Sequence, residues 1–159
     1  MAKKVKKTQN SEQWKEAFLF VLRISLGWLF LYSGLMKLYT PEWSAIGLLT
    51  NANTFPDLYN WFASDANIGW VNFMNVWGQI LIGLGLVSGT LTRLASIFGA
   101  LMMALYYFPS LEFPYVAHGF IVDEHIIYAL ALAVLANQRA GQFVGIDKYL
   151  SEKVKAWWL

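Results

Sequence analysis

Apolar residues in this chain gather into blocks too long and too uniform for one face of a soluble helix. From Ala17 to Tyr39 the sequence AFLFVLRISLGWLFLYSGLMKLY is apolar around the whole helical circumference, with Arg23 and Lys37 as its only charges. At 1.5 Å per residue such a block crosses a hydrocarbon core of about 30 Å. Similar blocks predict spans at about 70–88, 93–108 and 123–139, with Pro41, Pro109 and Gly141 as stops after the first, third and fourth. The turn Ser88–Thr92 is short, which makes the second and third spans antiparallel neighbours. The expected fold is an all-α integral membrane protein, a four-transmembrane-helix bundle over residues 17–140.

Polar stretches divide these blocks. Residues 1–16 form a basic tail, read as retained and cytoplasmic, in which the first ten residues are expected to lack structure and Ser11 is a helix N-cap. Residues 40–69 form an outer loop too long to be featureless. Two short amphipathic patterns in it, from Glu42 to Asn51 and from Thr54 onward with Pro56 in the first turn, predict short interfacial helices. A second outer loop, PSLEFPYVAHGFIVDE, leads into the fourth span. Residues 141–159 place Phe143, Ile146, Tyr149, Leu150, Val154, Trp157 and Trp158 at near-helical spacing, an amphipathic helix on the cytoplasmic surface.

Charge orients the bundle. Every Lys and Arg other than Arg23 and Lys37 falls in the tails, beside Gly89 or, for Arg139, at the inner end of the fourth span, whereas Glu42, Asp57, Asp65, Glu112, Asp123 and Glu124 fall in the outer loops. This asymmetry predicts both termini inside. A composition of 57% hydrophobic and 14% charged residues agrees with a membrane chain, and a net charge of +2 gives no reason to expect nucleic acid as a partner. Cysteine is absent, which excludes thiol redox pairs, disulfides, iron–sulfur ligation and covalent haem attachment.

Four places carry candidate chemistry. Arg23, two turns into the first span, is either a snorkelling or ion-paired structural cation, with Asp147 as the expected partner, or part of a ligand site. Lys37 at the outer end has Asp123, Glu124 and Glu112 as expected salt-bridge partners; functionally it would hold an anion or polarise a quinone carbonyl. The segment from His118 to His125 holds both histidines, with Asp123 and Glu124 between them and Tyr128 on the His125 face. It can be a helix cap, a metal site (for which the spacing matches no standard pattern, so no metal is assigned), or a proton-relay and quinone site. Gln79 is an interhelical hydrogen-bonding residue, and the glycines, Gly85 and Gly89 among them, mark close helix packing. No polar track crosses the midplane, which argues against a transporter.

Arg23-x3-Gly27-x6-Gly34-x2-Lys37 in a first span, the glycine-rich second span with a short turn and Arg93, and Gly141-x5-Asp147 together resemble the DoxX-like family of four-helix membrane proteins. The Trp43-Ser44-Ala45 stretch looks like the outer loop of its DoxD-type members, which include the large subunit of thiosulfate:quinone oxidoreductase. The resemblance implies a multi-pass protein of a prokaryotic plasma membrane, working near the quinone pool with partner subunits or as a homo-oligomer. Quinone is then the expected cofactor and nothing is covalently attached. The resemblance maps Arg23, Gly27, Gly34 and Lys37 onto the family's first span; from the residues themselves, Lys37, His118, Asp123 and His125 would handle substrate or protons, with Arg23 and Tyr128 binding quinone. A non-catalytic accessory subunit of a larger respiratory or oxygenase complex is the alternative, since no redox centre can be read in the sequence. The cysteine-dependent chemistry of the related vitamin K epoxide reductase architecture is excluded here.

Overall fold

The computed structural model describes residues 2–116 and 119–153, and side chains from Asn10 onward except that of Ser11. His118, Val154, Trp157 and Trp158 lie outside the described residues. Four long helices dominate: α1 (Ala2–Tyr39), α4 (Ile68–Ser88), α5 (Thr92–Ser110) and α6 (Glu124–Asn137). Short helices α2 (Ile46–Thr50) and α3 (Pro56–Ala63) fill the first loop, and α7 (Ile146–Lys153) follows α6. Residues 12–39 and α4 are long and apolar enough to cross a membrane.

The long helices pack in a ring, α1 on α4, α4 on α5, α5 on α6 and α6 on α1. Phe30, Leu86, Leu132 and Leu135 meet fully buried at its centre. The outward faces are equally apolar: Trp28, Leu81, Phe98 and Leu130 are each about half exposed or more, at 61%, 64%, 58% and 60%. In lipid, apolarity therefore does not tell inside from outside, and shape must do so. Antiparallel α1 and α4 supply that shape through interleaved glycines. A Cβ on Gly27 would lie 2.9 Å from Val87 N, one on Gly34 2.9 Å from Ile80 N, and one on Gly83 2.5 Å from Leu31 N. The glycines let two backbones touch.

Several boundaries differ from the sequence reading, each for a local reason. Helix α1 runs back to Ala2, so the basic segment continues the helix where coil was expected. Pro109 does not end α5 but lies inside it. Proline lacks the N–H that Leu105 O would accept, and the Tyr59 hydroxyl donates to that carbonyl instead, at 3.0 Å. Tyr59 is buried, and burial raises its pKa, keeping the hydroxyl a donor. Beyond Pro109 the outer loop forms an antiparallel three-stranded ribbon of β1 (Leu111–Glu112), β2 (Tyr115–Val116) and β3 (Gly119–Phe120). Strands of two residues have no period to read. Helix α6 ends at Asn137, and the left-handed residue after it is Arg139 (φ 48°), not Gly141.

The glycine seam sets a stability test. Gly83→Ala forces a methyl into the Leu31 backbone and should cost about 2 kcal/mol or more. Gly69→Ala, with nothing within 4 Å of its Cβ, should stabilise by at most about 1 kcal/mol. Thermal unfolding of the two variants in detergent checks the contrast; equal melting would remove the seam from the account.

Candidate functional site

Polar side chains collect at both ends of the bundle, and the two collections differ in kind. At the inner end Arg23, 1% exposed, donates from Nη1 to Ala140 O at 3.1 Å and from Nη2 to Val144 O. Asp147, also buried, accepts Leu91 N–H at 2.6 Å and Thr92 N–H at 2.8 Å, capping the start of α5. Its own N–H returns to Gly89 O at 2.8 Å. Arg23 and Asp147 attract one another across this cluster but form no ion pair within 4 Å. The expected salt bridge is thus replaced by backbone carbonyls and amides, which pair both Arg23 Nη atoms and both Asp147 oxygens and leave Arg23 Nε buried without a partner. Gly89 and Gly145 make room: a Cβ on either would lie 2.7 or 2.8 Å from Arg23 Nη1.

The outer end is an open pocket of about 430 Å³ between the loops and the helix ends. Lys37, Trp43, Asn75, Tyr106, Asp123, Glu124 and His125 are among its lining. Lys37 Nζ donates to Asn75 Oδ1 at 2.7 Å and to Tyr106 Oη at 3.0 Å, and lies 4.7 Å from the centre of the Trp43 ring. The expected bridges to Asp123, Glu124 and Glu112 do not form. Asp123 is spent elsewhere: it caps α6 through the N–H groups of His125 (3.0 Å) and Ile126 (3.2 Å), and its other oxygen meets His125 Nδ1 at 2.7 Å. Glu112 lines an adjoining groove of about 420 Å³ with Asn51, Asn53 and Tyr115. Among the described residues, the Lys37 ammonium has only neutral partners.

His125 packs edge-on against Tyr106, with ring centres 6.1 Å apart. With Nδ1 bound to a carboxylate, Nε2 is the nitrogen left for proton exchange. Donor atoms of Asp123, Glu124 and His125 come within 4.8 Å of one another, but the Asp123 oxygens already serve the cap and the imidazole. The geometry is that of a helix cap with a carboxylate–histidine couple.

The structure thus brings Lys37, Asp123 and His125 together and leaves two sequence candidates apart. Tyr128 packs against the bundle core and does not line the pocket. Arg23 lies 14 residues before Lys37 on α1, about 21 Å along the helix. Asn75 and Tyr106, the two lining residues that hold the Lys37 ammonium, escaped the sequence reading. Gln79 drew notice as a mid-span amide, and its Nε2 does reach Tyr106 Oη at 3.3 Å. Asn75, one turn earlier on the same face, was the available signal.

Removing Arg23 should expose how much the inner cluster carries. Arg23→Ala strands the buried Ala140 carbonyl, the part-buried Val144 carbonyl and the Asp147 charge, and should cost about 3–5 kcal/mol, read as a lowered melting temperature in detergent and reduced accumulation in membranes. Wild-type stability would show the cluster to be dispensable.

A family model described as DoxX matches residues 18–111, which takes in α1 from Phe18 onward, α2, α3, α4 and α5. No solved structure matches the chain. The chain belongs to the DoxX family.

Proposed function

We propose that this DoxX-family protein is a four-span subunit of a quinone-linked membrane oxidoreductase, with its reacting site in the outer pocket. In this reading α1, α4, α5 and α6 all cross the bilayer. Helix α5 has 19 residues, about 29 Å, and α6 has 14, about 21 Å; the segment after α6 completes the fourth crossing. Residues 2–16, the Gly89 turn and α7 lie on the cytoplasmic side in this reading, which the distribution of Lys and Arg supports. Apolar outward faces on all four helices support a lipid surround.

The observation that carries the functional reading is a cation held by neutral groups beside a carboxylate–histidine couple, in one pocket. A quinone supplies two-electron chemistry, becoming a quinol with two protons. Lys37 would hold a carbonyl oxygen of that group by a hydrogen bond and favour negative charge there. His125, oriented by Asp123, delivers or receives the proton through Nε2. The Trp43 and Tyr106 rings offer flat apolar walls, and the pocket is of the size that holds small ligands. In a thiosulfate:quinone enzyme the electrons come from two thiosulfate anions as a sulfur–sulfur bond joins them.

The accessory role remains the second reading because the chain has no cysteine to relay electrons. Purification from native membranes separates the two: bound quinone and turnover in the isolated chain support catalysis, whereas a stoichiometric large partner and no quinone support the accessory role.

Under the first reading, Lys37→Met and His125→Ala should each lower quinone turnover about 100-fold without changing the melting temperature. Tyr128→Phe should keep full turnover, since Tyr128 lies outside the pocket. Wild-type turnover in His125→Ala would remove the proton-transfer role. Topology is open to direct assay because the chain lacks native thiols. In intact cells an impermeant maleimide should label Asp57→Cys and spare Glu152→Cys; the reverse pattern would invert the bundle.

A further inference from the structure

We infer that Asn75 selects the ligand of the outer pocket, by presenting its side-chain NH2 to an oxygen acceptor beside the Lys37 ammonium. The inference rests on the pocket reading above and adds a residue with a defined polarity. Lys37 has donors only, so the atom of Asn75 that faces it must be Oδ1, 2.7 Å away. Turning the amide over would set donor against donor. The Tyr106 hydroxyl agrees with that choice. Its oxygen accepts from Lys37 at 3.0 Å and from Gln79 Nε2 at 3.3 Å, so its single proton goes to Asn75 Oδ1, at 2.8 Å. Both lone pairs of Oδ1 are then filled.

Gln79, 4% exposed, anchors this network from one turn deeper on α4. The Asn75 Nδ2 group is left with two donors and, among the described residues, no acceptor, on a side chain that lines the pocket. An amide locked in this sense rejects a cationic or donor-only group and accepts a carbonyl or oxyanion oxygen. A quinone carbonyl and a sulfur oxyanion share that chemistry, and binding with each probe tells them apart.

The full chain in detergent, its Asn75→Leu and Asn75→Asp variants and Lys37→Met are the proteins to compare. Asn75→Leu keeps the shape and removes the donors. Asn75→Asp keeps an acceptor for Lys37 and Tyr106, which protects folding, and turns an oxygen toward the ligand in place of NH2. One probe is a short-chain benzoquinone with 13C-labelled carbonyls, followed by infrared difference spectroscopy; the other is sodium thiosulfate, followed by calorimetry. The wild-type protein should lower the stretching frequency of one labelled carbonyl. In both Asn75 variants that band should move back toward the free value, with affinity about tenfold weaker. Thiosulfate binding that weakens in the same variants, without quinone binding, also supports the inference and makes the oxyanion its source. An unchanged band and unchanged affinities in the Asn75 variants, with binding lost in Lys37→Met, overturn the role of Asn75 alone. No binding of either probe to the wild-type protein, or binding that Lys37→Met leaves intact, overturns the pocket reading and this inference with it.

Discussion

A guanidinium buried in a helix bundle must be given acceptors, and in this chain that demand ties the inner end together. Arg23 reaches the carbonyls of Ala140 and Val144, so the segment after α6 has to fold back over α1. That return brings Asp147 to the first amides of α5, where it satisfies groups that no earlier turn of helix can reach. Gly89 and Gly145 then meet across the cluster, because any side chain there would occupy the space of the guanidinium. One charged residue thereby fixes the register of three segments distant in sequence. The energetic reason is asymmetry: a satisfied buried charge contributes modestly, while an orphaned one is very costly.

The same helix carries a second cation to its other end, and there the solution is different. Lys37 is met by an amide, a hydroxyl and the faces of two aromatic rings, while the nearby Asp123 is committed to its helix and to His125. Neutral partners orient a cation without cancelling it. A structural lysine at a bundle mouth gains more from a carboxylate, and Glu124 lines the same pocket. The arrangement therefore leaves the charge available to whatever enters.

How much of this was legible beforehand follows from what a bilayer does to sequence patterns. Long apolar blocks gave the long helices, because a crossing length is a strong constraint. The helix patterns around Glu42 and Pro56 were readable because those segments are amphipathic, with Leu49 and Tyr59 buried while Leu48 and Leu58 stay exposed. Which face of α1 or α4 turns inward was not readable: both faces are apolar, and the glycines at 27, 34 and 83 only become informative once Leu31, Ile80 and Val87 are seen against them. The Arg23–Asp147 association was anticipated as a salt bridge, since side-chain charges are visible in a sequence and backbone carbonyls are not. Tyr59 rescuing the Leu105 carbonyl beside Pro109 was hidden for the same reason.

Polar residues inside a membrane bundle separate, on this evidence, into those whose hydrogen-bonding capacity is used up by the fold and those whose capacity is left facing a cavity. Asp147 belongs to the first group, with both its oxygens filled by backbone amides. Asn75 belongs to the second, because Lys37 and Tyr106 consume only its acceptor side. Unlike Asp123, it neither caps a helix nor neutralises a charge, and a leucine would fit an apolar α4 better. An amide oriented by two donors, at the edge of a pocket that also holds a free imidazole nitrogen, is a costly feature for a helix to carry unless something binds there. Residual donor capacity that faces a cavity, more than charge or aromaticity, separates the outer end of this bundle from the inner one, where the unpartnered Arg23 Nε is sealed in.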